Sequence, residues 1–119
     1  IQAHADCLHA GGIGMLHFIG HIGPRETEPF IRKHVFPGGW IPALSDALQA
    51  MERCGLEVLD VENLRRHYAL TLDAWAQRFA ERWPVIQALD PVRFDERFRR
   101  IWTVYLVGCA ELFRSPVGC

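Results

Sequence analysis

Two consecutive segments late in the chain repeat large apolar residues at helical spacing, and no other feature limits the available folds as strongly. Between Thr71 and Leu89, the residues Leu72, Trp75, Phe79, Trp83 and Ile86 fall on one stripe, the three-to-four-residue recurrence of an amphipathic helix. Pro84 lies inside this segment and predicts a kink or a restart, because proline removes a backbone donor and its ring crowds the preceding turn. Asp90-Pro91 predicts the start of the next helix, a capping carboxylate followed by a residue that needs no intrahelical donor. Phe94, Phe98, Ile101, Tyr105, Cys109 and Leu112 then mark its buried face.

The earlier part of the chain reads differently. Ile1 to Ala10 suits the end of a helix, Gly11-Gly12 breaks it, and Ile13 to Ile19 reads as a short buried strand. Gly20 to Pro29 is a loop, and Phe30 to Phe36 ends at Pro37-Gly38-Gly39, where proline fixes φ and glycine supplies the positive φ of a type II turn. Ser45-Asp46 is positioned to cap a helix carrying Leu44, Ala47, Leu48 and Met51, with Gly55 just past its end. Leu56 to Val61 reads as a second strand. The order of elements predicts an α/β fold, helix-rich and with an incomplete sheet, because two strands are too few for a doubly wound architecture.

Composition narrows the function classes. The 119 residues are 50% apolar and 23% charged, which predicts one core-forming domain rather than disorder. No apolar stretch reaches the roughly 20 residues of a membrane-spanning helix. A net charge of −1 speaks against a nucleic-acid partner, which calls for concentrated basic charge. Arg97, Arg99 and Arg100 cluster, but beside Asp95 and Glu96 they read as a solvated helix face. Cys7, Cys54, Cys109 and Cys119 lack paired spacing, which fits a reducing, cytoplasmic compartment. With Ile1 as the first residue, the chain reads as a fragment.

Most chemistry-bearing residue types have a plain reading. Gly11-Gly12-Ile13-Gly14 precedes the apolar run, whereas a dinucleotide loop follows a strand. His4, Cys7, His9, His17 and His21 lack the matched second pair of a structural zinc site, so no metal is expected. Ser45 and Ser115 are the only serines, and neither occupies a nucleophile elbow. Cys54 reads as a packed, inert thiol. His17, within Met15-Leu16-His17-Phe18-Ile19, is expected to be a buried ring that needs a hydrogen-bond partner. Tyr68 is expected between a strand and a helix, where alone it would be an ordinary amphipathic aromatic.

Longer segments carry a resemblance. Leu16-His17-Phe18-Ile19-Gly20, Ile31-Arg32-Lys33-His34-Val35-Phe36-Pro37-Gly38-Gly39, and His67-Tyr68 through Thr71-Leu72, Trp75, Arg78 and Phe79 are similar to successive signatures of cyclopropane-fatty-acyl-phospholipid synthases. Trp102, Tyr105-Leu106, Cys109 and Phe113-Arg114 resemble the last long helix of that family. The chain resembles its carboxy-terminal half, in order and nearly throughout. Phe18 stands where the family commonly has threonine, and His34 where it commonly has tyrosine. The run Arg114 to Cys119 stops where the family continues into a final strand. The resemblance places the Gly-rich cofactor loop, a catalytic cysteine and a catalytic glutamate upstream of Ile1.

The resemblance implies the helix-rich C-terminal part of a Rossmann-like class I methyltransferase domain over residues 1–119. It implies an enzyme that uses S-adenosylmethionine to build a cyclopropane ring on a cis double bond of phospholipid acyl chains, peripheral to the inner membrane face. Bicarbonate is implied as the base, held by His17, the backbone of Ile19 and Tyr68, since an imidazole and a phenol donate to an oxyanion. Arg32 and Lys33 read either as a solvated pair or as contacts to a lipid phosphate. A homo-oligomer is expected, because the Ile13 to Ile19 strand would expose an unpaired edge. Two alternatives stay open: a sister fatty-acyl methyltransferase giving a methyl-branched product, and a non-catalytic lipid-binding or assembly module.

Overall fold

The computed structural model describes residues 1–116. Predictions that fall on Val117, Gly118 and Cys119 lie outside the described residues. The chain divides into two compact units, Ile1–Thr27 with Trp40–Glu62, and Glu28–Gly39 with Asn63 onward.

The first unit holds α1 (Gln2–Cys7) and a second, longer helix at Leu44–Arg53. That helix opens one residue before the predicted Ser45-Asp46 cap. Ala43 occupies the cap position, and Asp46 reaches back to accept the Ala43 N–H at 3.0 Å, half of a capping box. Its end is as predicted. Gly55 takes φ +71, and the N–H groups of Leu56 and Gly55 donate to Met51 and Glu52 at 3.0 Å, closing the last turn around a left-handed residue. Ala43, Ala47, His21 and Thr27 are buried in this unit.

Neither predicted strand forms. Among the described residues the sole β-bridge joins His21 to Ala43 in parallel, with the His21 N–H donating to Pro42 and the Leu44 N–H to His21, each at 2.9 Å. Ile13 to Ile19 is irregular, with Ile13 80% and Met15 86% exposed, so it is not the buried strand its apolar character predicts. Leu59 and Val61 of the second segment are exposed as well. The reason is pairing: a strand is defined by a neighbour that takes its N–H and C=O groups, and these two segments do not take each other's.

In the second unit, α2 spans Pro29–His34 with Pro29 in its first turn. Numbered in chain order, the Leu44–Arg53 helix is α3. Phe36, Pro37, Gly38 and Gly39 form the predicted turn: Gly38 has φ +75, and the Gly39 N–H donates to Phe36 at 2.9 Å. α4 runs Arg65–Leu89 without interruption through Pro84, which therefore neither breaks nor restarts it. α5 runs Glu96–Arg114, and its cap is Asp95, whose Oδ1 accepts the Phe98 N–H at 2.7 Å. Asp90, the predicted cap, instead ties the connecting turn by accepting from Val92 and Arg93 at 3.1 and 3.0 Å.

α4 and α5 pack on each other. Their centre is Leu72, Leu106 and Ala110, with Tyr68, Ala76, Phe79, Tyr105, Cys109 and Phe113 against it. The α4 stripe is buried at Leu72 and Trp83, while Trp75 is largely exposed. On α5 the most buried positions are Leu106 and Ala110, and the predicted Leu112 is exposed. Toward the α4–α5 connection, Trp83 stacks on Phe98 (6.4 Å between centroids) and Phe94 meets Phe98 edge-on at 5.1 Å.

Candidate functional site

Tyr68 lies inside the first turn of α4, not between a strand and a helix. Its ring meets Phe113 edge-on at 5.8 Å and Trp75 at 5.9 Å, so both neighbouring helices fix its direction. Two devices hold this end of the helix pair. Arg65, one turn before Tyr68, donates through Nη2 to the carbonyls of Leu112 and Ser115 at 2.6 and 2.8 Å, which satisfies acceptors that the end of α5 leaves without helical partners. Arg114 pairs with Asp73 and with Glu111. The hydrogen bond it donates to Glu111 heads the causes that raise the Arg114 guanidinium pKa above its ordinary value.

Beside Tyr68, a surface depression is lined by Asn63, Arg65, Arg66 and His67. It sits at the N-terminus of a 25-residue helix, where backbone N–H groups and the helix dipole favour an anion. Arg66 adds a basic side chain there, whereas the Arg65 guanidinium is committed to the end of α5. Arg65-Arg66-His67 directly precedes Tyr68 in the sequence, and only a helix that begins at Arg65 instead of Thr71 puts these residues at its N-terminus.

Deeper between the helices stands Tyr105, which meets Trp102 edge-on at 5.6 Å and Phe36 at 5.8 Å. Its phenol is pushed above its ordinary pKa, first by burial, then by the nearby Cys109 thiol and the Tyr68 phenol. Tyr68 and Tyr105 therefore belong to one half-buried aromatic cluster. The sequence marked Tyr105 only as a core residue.

His17 and Ile19 belong to the first unit, and Tyr68, Arg32 and Lys33 to the second. His17 is exposed, which corrects its reading as a buried ring: without strand neighbours, the apolar run around it encloses nothing. The Ile19 N–H makes no backbone hydrogen bond among the described residues. Arg32 and Lys33 are exposed in the last turn of α2. Cys54 is half-buried and Cys7 exposed, and both are free thiols. Among the described residues no three His, Cys, Asp or Glu side chains gather as metal ligands.

Residues 1–117 match the family described as mycolic acid cyclopropane synthetase. The chain belongs to this family. Among its curated relatives, a probable fatty acid methyltransferase of Pseudomonas putida is 41% identical over 87% of the chain and 25% of its own length. The tuberculostearic acid methyltransferase UfaA1 of Mycobacterium tuberculosis is 37% identical over 79% of the chain and 22% of its own length. The cyclopropane-fatty-acyl-phospholipid synthase of Escherichia coli is 36% identical over 91% of the chain and 27% of its own length. The solved structure of the cyclopropane synthase MmaA2 from Mycobacterium tuberculosis superposes with a TM-score of 0.63 at 33% identity, over 71% of this chain and 28% of that one. The chain thus spans about a quarter of the length of these relatives. Their names join two chemistries, methyl transfer to fatty acids and cyclopropane formation. The helices reported above are accordingly part of a fold shared with a known cyclopropane synthase.

Proposed function

We propose that this chain is part of an enzyme that transfers a one-carbon unit from S-adenosylmethionine to a cis double bond of phospholipid acyl chains and closes it to a cyclopropane. The observation that carries the proposal is the family match over residues 1–117. The resemblance of the Leu16–Gly20 and His67–Tyr68 segments to that family supports it, as does the 36% identity to a cyclopropane-fatty-acyl-phospholipid synthase.

In this reading S-adenosylmethionine supplies the methyl group, and bound bicarbonate supplies the base that removes a proton before ring closure. The family resemblance assigns His17, the Ile19 N–H and Tyr68 to the oxyanion. An imidazole N–H and a phenol O–H can both donate to it. The half-buried aromatic cluster keeps water from Tyr68, which strengthens its hydrogen bond. Arg32 and Lys33 receive the lipid phosphate through charge-assisted bonds. The 119-residue chain alone is expected to be inactive and not to bind S-adenosylmethionine tightly, and calorimetry on the isolated chain tests this.

A second reading has a specific observation behind it: two relatives at 41% and 37% identity are named as methyltransferases. In that case the same carbon is transferred but the cation loses its proton from a chain carbon instead of the new methyl, which leaves a methyl-branched alkene. Acyl-chain analysis of the product of an enzyme containing this segment separates the two, through ring protons in one case and a branched methyl in the other. Recovery of unaltered acyl chains would overturn both readings.

A further inference from the structure

Apolar side chains are exposed at the end of the helical hairpin, far along α4 from Tyr68. Val85 and Leu89, one turn apart at the end of α4, are 59% and 75% exposed, and Val92 at the apex of the connecting turn is 90% exposed. They do not belong to a loose end. Beneath them Trp83, Phe94 and Phe98 pack on one another, so the apex stands on a rigid aromatic base.

Charge tells what such an apex meets. Between Arg78 and Arg100 the chain carries six arginines against four carboxylates, although its net charge is −1. The carboxylates are engaged locally. Asp90 and Asp95 accept backbone N–H groups, Glu81 accepts from Gln77 at 2.9 Å, and Glu96 pairs with Arg99 and Arg100 at 3.5 and 3.2 Å. Arg82 and Arg97 form no ion pair among the described residues and are exposed, and Arg93 lies over the Phe94 ring. Exposed Leu and Val flanked along the chain by exposed arginines match an anionic lipid surface, where apolar side chains enter the acyl boundary and cations meet headgroup phosphates. A second copy of the chain would bring like charges together.

We infer that the α4–α5 connection, with Leu89 and Val92 at its apex and Arg82, Arg93 and Arg97 around it, docks the protein on an anionic membrane surface. The inference borrows from the proposed function only the choice of a lipid partner. Vesicle binding needs no turnover, so the two fail separately. The test is flotation of the 119-residue chain with vesicles of phosphatidylcholine alone or mixed with phosphatidylglycerol, with circular dichroism as a check on folding. Binding is expected to the mixed vesicles only, and to weaken at about 0.5 M salt, where the screening length falls below about 5 Å. Arg82→Gln with Arg97→Gln removes two charges, each strengthening binding about five-fold near such a surface, for a loss of about 25-fold. Leu89→Ser with Val92→Ser should weaken binding at least about ten-fold with the charge unchanged. No binding to mixed vesicles would overturn the inference. So would apex substitutions without effect, or equal binding to polyglutamate unaffected by Leu89→Ser and Val92→Ser, which would indicate an acidic protein partner.

Discussion

Leu72→Ala tests the packing that positions Tyr68. Leu72 is 1% exposed and sits with Leu106 and Ala110 at the centre of the α4–α5 interface, one turn from Tyr68. The substitution removes three buried carbons, about 2.4 kcal/mol of transfer free energy at about 0.8 per methylene. Two rigid helices collapse incompletely around the gap, and the cavity adds to the loss, so the total should approach about 3–4 kcal/mol. Domains of this size are stable by only about 6–18 kcal/mol, so the change is a large share. Urea unfolding followed by tryptophan fluorescence reads it: with a slope of about 2 kcal/mol per molar, the midpoint should fall by about 1.5–2 M. Trp83 is buried in the same unit and reports on it. Leu112→Ala is the control, because Leu112 is exposed and should cost under about 1 kcal/mol. Equal shifts for the two variants, or a Leu72→Ala loss below about 1 kcal/mol, would refute this packing.

Arg65→Ala should release the last turn of α5, since one guanidinium serves both the Leu112 and Ser115 carbonyls. A loss of about 1–2 kcal/mol, with faster amide exchange confined to residues near 112–115, is expected by hydrogen exchange. The raised pKa of Tyr105 gives a pH signature. Its folded state holds the phenolic proton more tightly than the unfolded chain, so the stabilisation is complete below the ordinary phenol value of 10.0 and falls as pH rises through the higher folded value. Tyr105→Phe should flatten that alkaline decline in thermal unfolding. Exposed Ile13, Met15 and Ile19 lead us to propose self-association of the isolated chain, and sedimentation showing only monomer over a wide concentration range would count against it.

The helices were legible in the sequence because their information is local. The Leu72–Trp83 stripe, the Pro37-Gly38 turn and the Gly55 ending each depend on residues within a turn or two, and all appear in the structure. Helix starts were legible to within a few residues only. Asp90 and Asp95 are both plausible caps five residues apart, and the choice fell to Asp95 because Asp90 closes the intervening turn. Burial on α5 shifted from Leu112 to Leu106 and Ala110 because a periodic stripe gives a face without saying which part of it the neighbouring helix covers. The strands were misread for a different reason. Ile13 to Ile19 has strand-like residues, but strand formation depends on a partner that local pattern does not contain. At the site, Tyr68 and the family signatures were legible, whereas the basic depression at the start of α4 was not, because it required the helix to begin at Arg65 instead of Thr71.

The central claim is that this chain helps modify lipid acyl chains, with Tyr68 assigned to the base. Its most direct test is mass analysis of phospholipid acyl chains after incubation of an enzyme containing this segment with S-adenosylmethionine, alongside Tyr68→Phe. Monounsaturated chains should gain one carbon and two hydrogens, and the variant should form that product more slowly while binding phospholipid as well as the parent does. Unaltered acyl chains with the methyl group delivered elsewhere would contradict the claim, and full turnover by Tyr68→Phe would contradict the role given to that residue.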